Sequence, residues 1–207
     1  MMDVAIFAKA PQAGAVKTRL IPALGAAGAA RLQRRLTLHA VEVANRFAPE
    51  KTTLWCAPDT RHRFFRALHA HCGIEVRSQV GADLGARMAH AFAMLDGPLL
   101  LVGSDCPALQ VEHLTGAARA LRDGHDAVFI PAEDGGYVLV GLQRPQPRLF
   151  EDIVWGTGRV MAQTRERLLE MKLRWAEPYT LWDVDQVGDL ERLAMLDGSS
   201  AVLRRQK

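Results

Sequence analysis

The sequence predicts an α/β protein with three layers, in which helices cover both faces of a mostly parallel mixed sheet. Short apolar runs of strand length alternate with segments of helical periodicity along the whole chain, and this alternation is typical of parallel sheets with crossover helices. A chain of 207 residues with 49% hydrophobic and 24% charged residues has the size and composition of one globular domain. We therefore expect residues 1–207 to form a single α/β/α domain.

Six apolar runs predict the strands of this sheet. Five of them alternate with helical segments: residues 3–7, 52–57, 74–79, 98–103 and 126–132. The sixth, residues 137–142, follows the fifth after only a few residues, and such a short connection leaves no room for a crossover helix. We expect this strand to be antiparallel, and we predict a further short strand near residues 179–181.

Apolar residues that recur every three or four positions predict the helices. The clearest stripe consists of Leu32, Leu36, Ala40, Val43 and Phe47. Another helix is expected to begin after Asp83, because aspartate is a favoured N-cap residue. That helix is predicted around residues 84–95, and the remaining helices are predicted around residues 64–68, 111–121, 161–171 and 190–196.

Charge and cysteine content exclude several classes of function. The net charge of +3 comes from Lys and Arg spread along the chain, and the one dense basic run is Arg204, Arg205 and Lys207, so nucleic acid is not an expected partner. The sequence contains no run of 18 apolar residues, so it does not predict a membrane span. Three cysteines without CxxC spacing predict neither a disulfide framework nor a structural zinc site. We expect a cytoplasmic protein with reduced thiols.

The first candidate site follows the first strand. The segment AKAPQAGAVKTRL, residues 8–20, combines small residues with the cations Lys9, Lys17 and Arg19. Small residues let backbone N–H groups approach an anion, and Lys and Arg add charge-assisted hydrogen bonds. It is not a Walker A motif, because Val16 precedes Lys17 where that motif has glycine. The segment therefore predicts a phosphate-binding loop, and it follows a strand, where open α/β sheets bind their ligands. The alternative is that Lys17 and Arg19 are solvated charges in a surface turn.

The second candidate ends the fourth predicted strand, in the segment LLLVGSDCPAL. Asp105 emerges there at the ligand edge of the sheet. Mg²⁺ and Mn²⁺ are held by one or two carboxylates together with substrate phosphates, so Asp105 is predicted to be a metal ligand. The alternative is an N-cap or Asx-turn role at the start of the next helix.

Two further segments carry carboxylates. In AEDGGYVLVGL, Glu133 and Asp134 precede the diglycine Gly135 and Gly136, which predicts either a site residue, Asp134, or simply a tight hairpin turn. In LWDVDQVGDL, Asp183 and Asp185 alternate and point to the same side if the chain is extended. One of them could complete a metal site with Asp105, and the alternative for Asp185 is to cap the last helix.

Two tryptophans, Trp155 and Trp182, stand beside glycine or aspartate in predicted loops. An exposed indole can stack on a sugar or a base, although most tryptophans belong to the core.

Five segments together resemble the motifs of a GT-A-like nucleotide-diphospho-sugar transferase family, the radical-SAM/selenodomain-associated transferases: FAKAPQAGAVKTRL, QVGADLGARM, GSDCPAL, EDGGYVLVGL and WDVDQVGDL. This family is similar to the guanylyltransferases of molybdenum-cofactor maturation and to 2-phospho-L-lactate guanylyltransferase. The corresponding loop of the guanylyltransferases follows the glycine-richer pattern LAGGxSxRxGxxK. The segment AKAPQAGAVKTRL, residues 8–20, departs from that pattern.

The resemblance also implies roles for individual residues. It assigns Lys9, Gly14, Lys17 and Arg19 to nucleotide binding. It places base recognition in the segment of residues 79–87, where Gln79, Asp83 and Arg87 are the candidates, and it implies metal ligation by Asp105 and Asp185.

We expect a transferase that uses Mg²⁺ or Mn²⁺, a nucleotide or nucleotide sugar, and a small-molecule acceptor. Nucleotidyl transfer to a phosphorylated acceptor is slightly favoured, with Lys17, Arg19 and the cation on Asp105 neutralising charge. The first alternative is glycosyl transfer, in which Asp134 takes the proton of an attacking hydroxyl. The second is a nucleotide-binding protein without activity.

Overall fold

The computed structural model describes residues 2–196, so the basic run at residues 204–207 lies outside it. Within this range the chain forms one seven-stranded sheet in the order β3-β2-β1-β4-β6-β5-β7. The strands are β1 (Asp3–Lys9), β2 (Thr52–Ala57), β3 (Glu75–Ser78), β4 (Leu99–Gly103), β5 (Ala127–Pro131), β6 (Tyr137–Leu142) and β7 (Trp175–Ala176). β6 runs antiparallel to both β4 and β5, and the other pairs are parallel. The predicted mixed sheet and its antiparallel strand are confirmed.

The helices follow the predicted periodicity. They are α1 (Ile21–Phe47), α2 (Arg63–Cys72), α3 (Leu84–Ala93), α4 (Val111–Arg122), α5 (Val160–Glu170) and α6 (Asp189–Leu196). Asp83 caps α3 as predicted, because its Oδ1 accepts a hydrogen bond of 2.8 Å from the Ala86 N–H. In α1 a kink at Gly25, with φ of 67°, precedes the regular apolar stripe. None of the helices among residues 2–196 is long and apolar enough to cross a bilayer.

Two apolar cores fill the space between the sheet and its helices. On one face, strand residues such as Ile6, Leu54 and Leu100 pack against α1, α2 and α4. On the other face, Trp55 and Phe129 pack against α3 and α5. The alternation of strand side chains between these cores confirms the predicted three-layer arrangement.

The predicted strand near residues 179–181 was wrong. The sheet partner of β5 is β7, at Trp175–Ala176, and farther along only Leu181 forms an isolated bridge, to Ala132. Pro178 lies between the two contacts and has no N–H to donate to a strand ladder. Tyr179, whose aromatic character suggested a strand, instead packs its ring on His113 of α4 at 4.8 Å.

The turn between β5 and β6 is pinned to the beginning of α5. The Ala132 N–H donates to the Gly136 carbonyl at 3.0 Å, so the segment forms a hairpin turn, and the role of Asp134 as a site residue stays a prediction. The Gly135 carbonyl accepts a bond of 2.8 Å from the Met161 N–H. Gly135 has a φ of 91°, and a β-carbon there would overlap the Gly158 carbonyl. This contact fixes the position of Asp134, the residue before it.

We predict that Gly135→Ala lowers the free energy of unfolding by about 2 kcal/mol or more, because it combines a strained φ with a clash against backbone. Gly136→Ala is the matched control, since its β-carbon would meet only the Asp134 carboxylate, 3.1 Å away. Urea denaturation of both variants measures the difference. Equal losses would contradict the proposed role of the Gly135 contact.

Candidate functional site

Three loops meet at the edge of the sheet where β1 and β4 end. They are the loop after β1, the loop after β4 and the segment between β7 and α6. The Val184 N–H donates to the Asp105 carbonyl at 3.0 Å, which joins the second loop to the third. A small core beneath them holds α1 and the third segment together; it consists of Leu20, Leu32, Leu36, Trp182, Val184, Leu190 and Leu193.

Lys17 is the buried centre of this convergence. Its side chain is only 3% exposed, and its ammonium lies 2.9 Å from Asp105 Oδ2 and donates to the Val184 carbonyl at 2.6 Å. The residue adopts the left-handed conformation, with φ of 48°. A buried ammonium needs such partners to offset the loss of water. Lys17, predicted to contact phosphate, is therefore held on two protein oxygens in this arrangement.

Asp105 is also held from behind by α1. The Gln33 side-chain amide is buried and donates to Ser104 Oγ at 3.0 Å and to Asp105 Oδ1 at 3.3 Å. Asp105 itself is 44% exposed and lies after β4, whereas Gln110 is the N-cap of α4, so the capping alternative for Asp105 does not apply. The sequence analysis missed Gln33. The sequence pattern that could have revealed Gln33 is a pair of polar residues, Gln33 and Thr37, which lie one helical turn apart beside the apolar stripe of α1.

Arg19 and Asp185 form an ion pair at the entrance of the site. Their side chains are 65% and 37% exposed, and an exposed pair of this kind contributes only about 0–1 kcal/mol. A ligand phosphate can therefore replace Asp185 on Arg19 at little cost. The backbone N–H groups of Asp185 and Gln186 donate to the Asp189 carboxylate, so the Asp185 side chain pairs with Arg19 instead of capping α6.

Asp183 has an unusual electrostatic environment. The pKa of its carboxyl is raised to about 6, mainly by burial and in addition by the neighbouring charges of Asp134 and Asp105, while the charge of Lys17 lowers it. Among residues 2–196 no group of three or more His, Cys, Asp or Glu side chains has the arrangement of a complete metal centre. Two carboxylates are nevertheless sufficient when a ligand supplies phosphate oxygens, as is usual for Mg²⁺. The carboxylates present thus fit a hard divalent cation bound together with a phosphate ligand.

The exposed charged groups of the site line one cavity of about 300 Å³. The carboxylates in its wall are Asp105, Asp134, Asp183 and Asp185, and Arg19 also lines it. Its apolar wall includes Leu84, Tyr137, Val138, Trp155 and Val160. Trp155 is thus a cavity residue, whereas Trp182 is buried in the small core.

Cys106 also lines the cavity. Burial raises the pKa of its thiol to about 12. The thiol therefore remains protonated at neutral pH, which removes it as a nucleophile.

The other predicted nucleotide-binding residues flank this cavity. Lys9 and Gly14 are exposed in or beside the loop after β1. The Gln79 amide donates to the Trp55 carbonyl at 2.9 Å, and Arg87 Nε donates to the Gly81 carbonyl at 3.2 Å, while Asp83 caps α3. These contacts shape the segment of residues 79–87 beside the end of β1, and its role in base recognition stays a prediction.

The sheet order and the cleft at its carboxyl edge define the fold of the nucleotide-diphospho-sugar transferases. A crystal structure from Desulfovibrio desulfuricans G20, of a protein described as a candidate nucleotide-diphospho-sugar transferase, is similar with a TM-score of 0.82 and 30% identity; the match covers 99% of this chain and 91% of that chain. The chain belongs to the bacterial family DUF2064, described as an uncharacterized protein conserved in bacteria, whose model matches residues 39–157. The fold and the family place it among the transferases.

More distant structures share the fold. Molybdopterin-guanine dinucleotide biosynthesis protein A from Archaeoglobus fulgidus has a TM-score of 0.57 at 15% identity, over 95% of this chain and 99% of that chain. The 4-diphosphocytidyl-2C-methyl-D-erythritol synthase of Anaerococcus prevotii DSM 20548 has a TM-score of 0.61 at 12% identity, over 95% and 96%. No curated protein matches the sequence significantly.

We predict that Lys17→Met lowers the free energy of unfolding by about 2 kcal/mol, because it removes a buried charge-assisted bond to Val184 and the partner of Asp105. The half-exposed Asp105 is partly screened by water, which limits the loss. Lys9→Met is the control, since Lys9 is exposed and a surface change of this type costs within about 0.5 kcal/mol. Urea denaturation gives both values, and similar losses for the two variants would refute the structural role of Lys17.

Proposed function

We propose that this protein is a divalent-cation-assisted transferase that uses an activated nucleotide, either a nucleoside triphosphate or a nucleotide sugar. The observation that carries the proposal is the convergence of the basic loop after β1 with Asp105 and Asp183 around one cavity. Cations beside carboxylates suit a phosphate ligand that arrives with a metal ion.

The phosphates of the donor are assigned to the loop after β1. The exposed segment around Gly14 presents backbone with few side-chain obstacles, and Gly14 has open space around its α-carbon. Arg19 and Lys9 supply exposed positive charge. The base is assigned to the segment of residues 79–87, as the resemblance implies. A structure with this fold, the CMP-2-keto-3-deoxy-manno-octonic acid synthetase, was solved with CTP bound, at 12% identity to this chain.

The cation is assigned to Asp105 together with Asp183 or Asp185. Asp183 is the stronger second ligand, because a desolvated carboxylate near two others is stabilised by a divalent cation. Asp185, the partner predicted from sequence, becomes available when Arg19 turns to phosphate. A bound cation would neutralise charge on the donor phosphates and on the leaving group. Lys17 would hold Asp105 in place, and the apolar wall would limit access of water.

Two versions of the reaction fit this arrangement. In nucleotidyl transfer, a phosphate of the acceptor attacks the α-phosphorus and pyrophosphate leaves, and no protein base is required. In glycosyl transfer, an acceptor hydroxyl attacks the anomeric carbon, the nucleoside diphosphate leaves, and a carboxylate accepts the proton. Asp134 lies in the cavity wall and accepts one bond of 2.8 Å from the Gly136 N–H, which orients it for that role. A nucleotide-binding protein without activity would bind the same donors without turnover.

We predict that a nucleotide donor stabilises the protein against heat more strongly in the presence of Mn²⁺ or Mg²⁺ than in its absence. A ligand at 100 times its Kd stabilises the folded state by about 2.7 kcal/mol. Thermal denaturation with a panel of nucleoside triphosphates and nucleotide sugars, each with and without the cation, measures this effect. The absence of any shift across the panel would overturn the proposal.

We predict that Asp105→Asn and Asp183→Asn each remove the cation-dependent part of this stabilisation and leave any cation-independent part. Each substitution keeps the size of the side chain and removes one negative charge. Asp185→Asn is expected to have a smaller effect. Glu133→Gln is the control, because Glu133 is exposed and paired with Arg192. If Glu133→Gln weakens the cation effect as much as the aspartate variants, the assigned metal ligands are incorrect.

A further inference from the structure

We propose that the acceptor of the transfer is an uncharged hydroxyl compound with an apolar face, bound in the cavity between Asp134 and Trp155, and not a phosphate ester. This inference rests on the proposed function and specifies the substrate class of the same site. It selects the hydroxyl version of the reaction over the nucleotidyl version that the sequence slightly favours.

The first argument is the balance of charge in the cavity wall. Among the described residues that line the cavity, four are aspartates and one, Arg19, is a cation. Arg19 is paired with Asp185, and Lys17 beneath the wall is paired with Asp105. Asp134 and Asp183 remain, and a divalent cation held by Asp105 and Asp183 would leave the negative charge of Asp134 in place. If Arg19 or Lys17 leaves its carboxylate, the phosphates of the donor require that positive charge. A second phosphate, on the acceptor, would therefore meet only negative side chains, which would repel it.

The second argument is the set of apolar and aromatic side chains that line the same cavity. The rings of Trp155 and Tyr137 meet edge to face with centroids 6.4 Å apart. Trp155 lies directly over Gly85, where an added β-carbon would come within 2.9 Å of the indole ring. Leu84, beside Gly85, lines the same cavity and is 42% exposed. A fixed indole and an exposed aliphatic side chain suit an apolar face of a ligand.

The third argument concerns the polar groups beside this wall. Thr157 lines the cavity, and its hydroxyl donates to the Val154 carbonyl at 2.8 Å. Its oxygen accepts a long bond of 3.4 Å from the Arg159 N–H, and its second lone pair is able to accept a hydrogen bond from a ligand. The Asp134 carboxylate is likewise an acceptor. Hydrogen-bond acceptors suit the hydroxyl groups of an acceptor molecule, whereas phosphate oxygens require donors.

Two probes that share one ring test this inference: benzyl alcohol and benzyl phosphate. Each is titrated into the full chain with Mg²⁺ and either UDP or GDP, whichever stabilises the protein more. The indole N–H signal of Trp155 is followed by NMR and assigned with Trp155→Phe. We expect benzyl alcohol to bind at least tenfold more tightly than benzyl phosphate. Equal or tighter binding of benzyl phosphate, or no effect of benzyl alcohol on Trp155, would overturn the proposal.

A charge variant tests the cause of the preference. Asp134→Asn removes one negative charge and is expected to reduce the preference for benzyl alcohol over benzyl phosphate at least threefold. Glu133→Gln removes the same charge from the adjacent exposed residue, which is outside the cavity wall, and should leave the preference unchanged. An equal reduction in both variants would show that the cavity charge does not select the probe.

The same samples separate the two hypotheses. If no nucleotide of the thermal-denaturation panel stabilises the protein, the proposed function fails, although the two probes can still be ranked without nucleotide. If a diphosphate stabilises the protein and benzyl phosphate still binds more tightly, only the inference about the acceptor fails. In that case Arg159, an exposed cation two residues from Thr157, is the residue to replace, to test whether it binds the phosphate of benzyl phosphate.

Discussion

The buried ammonium of Lys17 is the interaction on which the arrangement of the site depends. It joins the loop after β1 to the Asp105 carboxylate after β4 and to the Val184 carbonyl before α6. An ammonium removed from water must have such partners, since its desolvation is otherwise costly. The three loops are therefore positioned together, and displacing any one of them would leave a buried charge unpaired.

The topology of the sheet places the remaining groups around this contact. β1 and β4 are adjacent and parallel, so their carboxyl ends open at the same edge. Because β6 is antiparallel to β4 and β5, the turn that precedes it returns to that same edge and carries Asp134. The close contact of Gly135 with Gly158 then sets the distance between this turn and the beginning of α5. The single reversed strand thus brings Asp134 to the edge where Asp105 and the loop after β1 lie.

The chemistry of the cavity follows from how its charges are distributed. The cations Lys17 and Arg19 belong to the first loop, where a nucleotide phosphate would lie, and each of them is paired with a carboxylate of a neighbouring loop. Burial keeps the thiol of Cys106 neutral by raising its pKa to about 12, and burial likewise raises the pKa of the Tyr137 phenol. The Cys106 thiol and the Tyr137 phenol are thereby removed as anionic ligands, and the carboxylates of the wall are the groups suited to hold a cation.

The sequence by itself determined the alternation of strands and helices and the antiparallel β6, and it singled out the loop after β1 and Asp105 as candidates, because periodicity and loop length are local properties of the chain. Only the tertiary structure decided that Lys17 is buried, that Gln33 supports Asp105, and that β7 lies at Trp175–Ala176. It also decided that Asp183 shares its surroundings with Asp134, whereas Asp185 pairs with Arg19. Burial and ion pairing depend on which distant segments meet in space, and no local pattern of residues encodes that choice.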